Sequence, residues 1–162
     1  MDVNKTNKGF TLIELLIVVA IIGILAAVGS VVIPELLENT KKNATKANHQ
    51  TTVNYISVQL HKCYIGEDYV MNGNLKCSDR LAAVDGKVGL GVVNAAIKSL
   101  SDIKNPYKNH KKAVENSKYP ANDGDIGSVC VDVSGTTISV ITCFVSDCTN
   151  SSNHMSNTIT IE

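Results

Sequence analysis

Glu14 is an acidic side chain at the start of a long apolar run, and its position raises a chemical question. The stretch from Leu15 to Gly29 contains no polar side chain. An ionisable group near a membrane core costs about 2.5–3.5 kcal/mol on insertion scales, so such a group usually has a partner. A cut next to Phe10 would create a new α-amine, and residues 10 and 14 share one face of a helix. The amine of one subunit could therefore meet Glu14 of a staggered neighbour in a helical bundle. The simpler interpretation places Glu14 among lipid headgroups, with no such role.

Residues 10–33 form an apolar segment that is long enough to cross a membrane as a helix. About 20 apolar residues span a bilayer core of roughly 30 Å, and the preceding Lys5 and Lys8 favour a cytoplasmic N-terminus. Three interpretations compete: a secretory signal cut after Ala27-Val28-Gly29, a plain membrane anchor, or a segment that first lies in a membrane and later packs against copies of itself. The length of the segment and Glu14 both count against a signal peptide, whose apolar region is shorter. Only the third interpretation gives the carboxylate a purpose.

The stretch KGFTLIE, followed by LLIVVAIIGILAA, resembles the prepilin signature of type IV pilins and of the related type II secretion pseudopilins. The match runs nearly residue for residue from Lys8 to Ala27. It implies that a leader, residues 1–9, is removed by a prepilin peptidase between Gly9 and Phe10, and that the same enzyme methylates the new Phe10 amine. It also implies that Glu14 neutralises this amine in a neighbouring subunit, during assembly by a membrane platform protein and a cytoplasmic ATPase. Gly9 suits the processing role, because a residue without a side chain lets a protease approach the backbone closely.

The apolar helix contains residues at which it is predicted to bend or melt on packing into a fibre. Many members of the family place a proline at the position of Val31, whereas the proline of this chain falls three residues later. Proline removes one backbone hydrogen bond and bends a helix. The predicted weak points are Gly23, Gly29 and Pro34.

Residues 34–65 are predicted to continue the helix with an amphipathic pattern. Apolar and small residues recur at spacings of three and four in two stripes. The first stripe is Leu37, Thr40, Ala44, Ala47, Thr51, Tyr55 and Val58, and the second is His49, Val53, Ile56, Leu60 and Cys63. The small residues of the first stripe indicate close helix-to-helix approach in a fibre, whereas the second stripe is predicted to face a sheet.

The rest of the chain predicts a small sheet that packs on this helix. Residues 66–125 read as a connecting region with little regular structure, apart from a short helix at Gly91–Ser101. From residue 126 the period becomes two, and Val129–Val133, Thr136–Val145 and Ser156–Glu162 predict three antiparallel strands, with a turn at Ser134-Gly135. The predicted fold class is α+β: a long N-terminal helix, hydrophobic in its first half, packed against a small antiparallel β-sheet, as in the pilin fold.

The chain has five cysteines, and disulfide bonds are expected if it passes through a membrane into an oxidising space. They are Cys63, Cys77, Cys130, Cys143 and Cys148. Two bridges allow 15 arrangements, since any one thiol can stay free and four cysteines pair in three ways. Cys63–Cys77 would close the loop after the helix, and either Cys143–Cys148 or Cys130–Cys143 would tie the strand region.

Charge and motifs argue against several other classes of protein. Lys+Arg and Asp+Glu number 15 each, so the basic surplus typical of nucleic-acid binding is missing. No motif for catalysis or for a cofactor stands out, so the chain is not expected to be an enzyme or to hold a cofactor. Asn122–Asp125 (NDGD) faintly resembles a calcium loop, but calcium takes six to eight oxygen ligands, so a polar turn is favoured and no metal site is predicted.

The favoured function is that of a structural subunit of a type IV pilus, a homopolymeric surface filament with possible roles in cell adhesion or motility. The precursor and the subunit pool would lie in the inner membrane, in contact with its lipid, and the fibre would be extracellular. The alternatives are a pseudopilin of a type II secretion system and a membrane-anchored surface-binding module.

Overall fold

The computed structural model describes residues 9–162, and one helix is by far its longest element. α1 spans Leu12–Tyr64 and α2 spans Leu90–Ser99. The strands are β1 (Tyr69–Val70), β2 (Leu75–Lys76), β3 (Ala83–Val84), β4 (Lys87–Val88), β5 (Lys104–Asn105), β6 (Lys108–Lys112), β7 (Val114–Asn116), β8 (Val129–Ser134), β9 (Thr137–Cys143) and β10 (His154–Thr160). The chain divides into two compact units between Asn39 and Thr40, a boundary that lies within α1.

In the first unit, α1 carries apolar side chains that no core surrounds. Leu12 is 89% exposed, Leu25 is 66% exposed, and the large apolar side chains described between them are similarly open. α1 is the one helix of the described chain that is long and apolar enough to cross a membrane, with a mean hydropathy of 3.0 in its most apolar window. A helix that is apolar all round needs a surrounding of similar polarity, so this segment requires lipid or other copies of itself.

Pro34 lies inside α1, and the helix continues through it. Pro34 has no N–H to donate to the carbonyl of Ser30, one turn earlier. The Ser30 hydroxyl donates to the Ala27 carbonyl at 2.9 Å, a local bond of the kind that often accompanies helix bending. Gly23 faces open space, since a Cβ built there would have no neighbour within 4 Å. The softening of Gly23, Gly29 and Pro34 in a fibre stays a prediction.

In the second unit, α1 buries one stripe of side chains. The buried residues recur at spacings of three and four and are Thr45, His49, Thr52, Ile56 and Leu60. Three of these residues, His49, Ile56 and Leu60, belong to the second stripe predicted from the sequence. Thr45 and Thr52 were not part of that prediction. The Thr45 hydroxyl donates to the Lys41 carbonyl and the Thr52 hydroxyl to the Asn48 carbonyl, both at 2.9 Å. Because each hydroxyl is satisfied within the helix, its burial leaves no donor unpaired.

The main sheet has four strands in the order β10-β9-β8-β7. β8, β9 and β10 form the antiparallel meander, and the β8–β9 hairpin turns at Gly135, which has a φ of +60°. β7 adds in parallel to β8, with Val114 opposite Val129. The side chains of Val131, Ile138 and Val140 are fully buried in the same core as Ile56 and Leu60 of α1. The predicted α+β class, a long helix on a small antiparallel sheet, is confirmed.

Residues 66–125 contain more regular structure than their sequence indicated. Three hairpins lie there, β1–β2, β3–β4 and β5–β6, followed by β7. α2 begins one residue before the predicted helix and buries Val92, Val93 and Ala96 in the core. Five of the six hairpin strands have two residues, which is too short to show an alternation, and the five residues of β6 are all polar or charged, so periodicity could not reveal the hairpins.

Candidate processing and assembly site

Thr11 and Glu14 form a capping box at the start of α1. The Thr11 amide and the Thr11 hydroxyl both donate to Oε2 of Glu14, each at 2.8 Å. The Glu14 amide in turn donates to Oγ1 of Thr11 at 3.3 Å. A helix leaves its first N–H groups without intrahelical partners, and this exchange satisfies two such donors reciprocally. Within a single chain, Glu14 therefore fixes the point at which α1 begins.

Gly9 and Phe10 precede the helix, where a protease can reach the backbone. Neither residue is helical, and Phe10 is 88% exposed. Among the described residues, none lies within 4 Å of a Cβ built on Gly9, so these residues leave the peptide group open on that side. The capping box begins one residue after Phe10, and a cut between Gly9 and Phe10 would leave it intact.

Glu14 has no cationic partner within the part of the chain that the structure describes. The single ion pair there joins Lys87 to Asp132 at 3.8 Å, in the second unit. A carboxylate offers about four lone-pair sites, and the two bonds from Thr11 occupy one oxygen. Glu14 therefore keeps acceptor capacity for a cation while it caps the helix.

The sequence contains a signal for the capping box that the prediction of Glu14's role did not take into account. Thr11 and Glu14 have the T-x-x-E spacing that marks a helix N-terminus, and they stand directly before the apolar run. The isolated charge of Glu14 points to a cation as its partner, whereas the T-x-x-E spacing points to the backbone amides at the start of the helix. The capping box gives the carboxylate a role within a single chain, and a plain membrane anchor would share that role.

Two disulfide bonds tie the second unit together. Cys63, in the last turn of α1, pairs with Cys77, and Cys143, at the end of β9, pairs with Cys148. Both pairs are among those considered from the sequence, whereas the alternative Cys130–Cys143 is not formed. Cys130 is a free, buried thiol, and burial, helped by the negative charge of Glu115, raises its pKa to about 12.

The Asn122–Asp125 loop uses its side chains to hold its own backbone. The Asn122 side chain accepts from the Gly124 amide at 2.7 Å, and Asp125 accepts from the Ala121 amide at 2.8 Å. Asp123 accepts from the Cys148 amide at 2.8 Å, which fastens this turn to the second disulfide loop. In the described chain no three or more His, Cys, Asp or Glu side chains come together in a way that could hold a metal ion. The hydrogen bonds make this loop a capped turn.

Residues 4–30 match the family model of the prokaryotic N-terminal methylation motif. The matched range contains Gly9, Phe10 and Glu14 and most of the apolar segment. The motif is typical of one group of proteins, the type IV pilins and the type II secretion pseudopilins, and the chain shares this N-terminal segment with them. Proteins of the group are structural and non-enzymatic. The chain matches no curated protein and no solved structure.

The motif also implies where the protein is handled in the cell. It implies processing by a prepilin peptidase and delivery to an assembly machinery. Together with the apolar helix, it indicates a precursor in the inner membrane that enters pilus or secretion assembly.

Proposed function

We propose that the chain is the structural subunit of a type IV pilus. It is made as a prepilin, cut between Gly9 and Phe10, methylated on the new Phe10 amine and polymerised into a surface filament. The observation that carries the proposal is the match of residues 4–30 to the N-terminal methylation motif, on a helix whose apolar side chains have no core of their own.

The filament core is built from the first part of α1. In the inner membrane this surface faces lipid, and in the filament it faces the same segment of other subunits. Lipid tails and leucine side chains are similarly apolar, so the transfer does not expose the helix to water, and close packing supplies the attraction. The exposed polar side chains of the second unit favour water, so in the filament this unit would stay in contact with solvent.

The axial register is set by a charge pair between subunits. The Phe10 amine of one subunit meets Glu14 of its neighbour in a surrounding where an unpaired charge is costly. Each Glu14 still caps its own helix, because the capping bonds leave acceptor sites on the carboxylate. In this proposal a platform protein and a cytoplasmic ATPase deliver and lift the subunits, and the charge pair sets their register.

Substitutions at the capping box separate the two roles of Glu14. Glu14→Gln keeps an oxygen that can accept from Thr11 but removes the charge, whereas Thr11→Ala keeps the charge and removes the Thr11 hydroxyl. We expect Glu14→Gln and Glu14→Ala to insert normally into the inner membrane and to lose fibre growth. Thr11→Ala should keep most fibres, since the pair between subunits survives.

Fibre yield is counted by electron microscopy of sheared cells, and the membrane pool is measured by immunoblot. Normal fibre numbers in Glu14→Gln would refute the register role. Loss of fibres in Thr11→Ala to the same extent as in Glu14→Gln would show that the cap, rather than the charge, is what assembly needs.

A pseudopilin would share the motif and the helix, so the phenotype of a deletion strain separates the alternatives. A pilin deletion removes long surface fibres, whereas a pseudopilin deletion leaves a secretion defect. Two features of this chain favour a pilin over a pseudopilin: it has two disulfides, and Asn122–Asp125 form a capped turn rather than a calcium loop. Cross-linking that captured only monomers in the membrane would favour a membrane-anchored binding module.

A further inference from the structure

The two disulfide bonds of the second unit differ in how deeply they are buried. Cys143 and Cys148 are both 0% exposed and lie in a small core of their own. Cys77 is 6% exposed, whereas Cys63 is only partly buried at the edge of the main core. Residues 64–69, which follow Cys63, are all exposed. A molecule in solution can therefore approach the first bridge through Cys63, whereas the second bridge is reached only when the fold opens.

The first bridge joins two segments that also hold Glu162. Tyr64 directly follows Cys63, and its hydroxyl oxygen accepts a hydrogen bond from the Glu162 amide at 2.7 Å. Arg80 donates from Nε to the Glu162 carbonyl at 2.8 Å and from Nη1 to the Cys77 carbonyl at 2.9 Å. The Arg80 guanidinium also lies 5.7 Å from the centre of the Tyr64 ring. The bridge therefore keeps the two side chains that bind Glu162 next to each other.

Loss of this bridge would release the end of α1 rather than the segment that contains Cys77. The Cys77 side chain belongs to the main core, which holds it independently of the bridge. After Leu60, which is 2% exposed, the remaining residues of α1 are exposed apart from Cys63. A helix end with few buried contacts opens at a low cost in free energy. We expect the last turn of α1 to fray when the bridge opens, and Tyr64 to separate from Glu162.

We propose that the Cys63–Cys77 bridge is a thiol–disulfide exchange site, opened by a dithiol reductant that attacks Sγ of Cys63, and that its redox state controls the order of the end of α1 and of Glu162. A thiolate of the reductant forms a bond to Sγ of Cys63. The electron pair of the broken S–S bond leaves on Sγ of Cys77, which takes up a proton. The second thiolate of the reductant then displaces Cys63, so the bridge is reduced to two thiols and the dithiol is oxidised to a disulfide.

The same reductant is expected to leave the other three cysteines unchanged. The rate of exchange depends on access to the sulfur that is attacked, and the Cys143–Cys148 bridge is fully buried. Cys130 is 1% exposed, and burial, helped by the negative charge of Glu115, raises its pKa to about 12. Its thiol therefore stays protonated and does not attack the bridges within the chain. The proposal concerns the second unit alone and holds whether or not the chain assembles into fibres.

The test uses the full-length protein in detergent micelles, with dithiothreitol as the dithiol. Samples are quenched with N-ethylmaleimide at intervals, and peptide mass spectrometry identifies the labelled cysteines. We expect Cys63 and Cys77 to be labelled at least tenfold faster than Cys143 and Cys148. In guanidinium most of this difference should disappear, because the fold no longer shields the second bridge. Glutathione, a monothiol, marks the attacked sulfur, and we expect its adduct mainly on Cys63.

Amide hydrogen exchange measured by NMR tests the structural consequence. After reduction of the first bridge, exchange should become at least tenfold faster in the last turn of α1 and at Glu162, and should stay unchanged in β8. Cys63→Ser/Cys77→Ser should show the same pattern without reductant, whereas the matched variant Cys143→Ser/Cys148→Ser should keep slow exchange in the last turn of α1. Equal reduction rates of the two bridges in the folded protein, a glutathione adduct mainly on Cys77, or unchanged exchange at the end of α1 after reduction would overturn the proposal.

Discussion

The Cys63–Cys77 bridge is predicted to contribute more to the stability of the second unit than the Cys143–Cys148 bridge does. In the chain-entropy model, a cross-link stabilises the fold by restricting the unfolded chain, and the effect grows with the length of the closed loop. The cysteines are separated by 14 positions in the first bridge and by 5 in the second. These loops correspond to about 3 and about 2 kcal/mol at 25 °C. The first bridge also fixes the last turn of α1, so its loss should allow this end of the helix to fray.

Guanidinium unfolding of the full-length protein in micelles measures both contributions. All five tyrosines lie beyond residue 40 and there is no tryptophan, so tyrosine fluorescence reports on the second unit. The variant Cys63→Ala/Cys77→Ala is compared with the matched variant Cys143→Ala/Cys148→Ala. We expect free energies of unfolding lower by about 3 and about 2 kcal/mol, with a larger denaturant slope as the unfolded chain expands. Equal losses, or a larger loss for the shorter loop, would refute the entropic reasoning.

Two further predictions concern pH and the apolar first half of α1. Burial lowers the pKa of His49 below its ordinary value of 6.5, against the opposing hydrogen bond to Asn157. Below pH 6.5 the unfolded state therefore binds more protons than the folded state. The free energy of unfolding should fall with decreasing pH by up to about 1.4 kcal/mol per pH unit. His49→Gln should reduce this slope, whereas His61→Gln, at an exposed position, should leave it unchanged. In assembled fibres, amide exchange should be fastest around the predicted weak points, Gly23, Gly29 and Pro34, and uniform protection through this segment would contradict the assignment.

The large elements could be predicted because they leave long periodic signals. The apolar run and the period of two after residue 126 indicated α1 and the β8–β9–β10 meander. The buried stripe of α1 was only half visible, since Thr45 and Thr52 look like surface residues until their hydroxyls bond the helix backbone. The parallel addition of β7 could not be predicted, because three residues carry no information on strand direction.

Some features of the candidate site could likewise be predicted from the sequence, and others could not. Gly9, Phe10 and Glu14 stand in a motif whose spacing is specific and which the family model matches, and their roles in processing and assembly stay predictions. The pairing of the cysteines could not be predicted from the sequence alone, because many pairings fit the spacing and the choice depends on which cysteines the fold brings together. The capping role of Glu14 was missed even though its spacing was visible, because a charge beside an apolar run drew the interpretation toward a distant partner.

Intact-mass analysis of the mature protein from its native membrane tests the central claim most directly. The prepilin account predicts a chain that begins at Phe10, carries one added methyl group, and keeps four cysteines in two disulfides. A chain that still begins at Met1, or one cut near Gly29 within the apolar segment, would contradict the account.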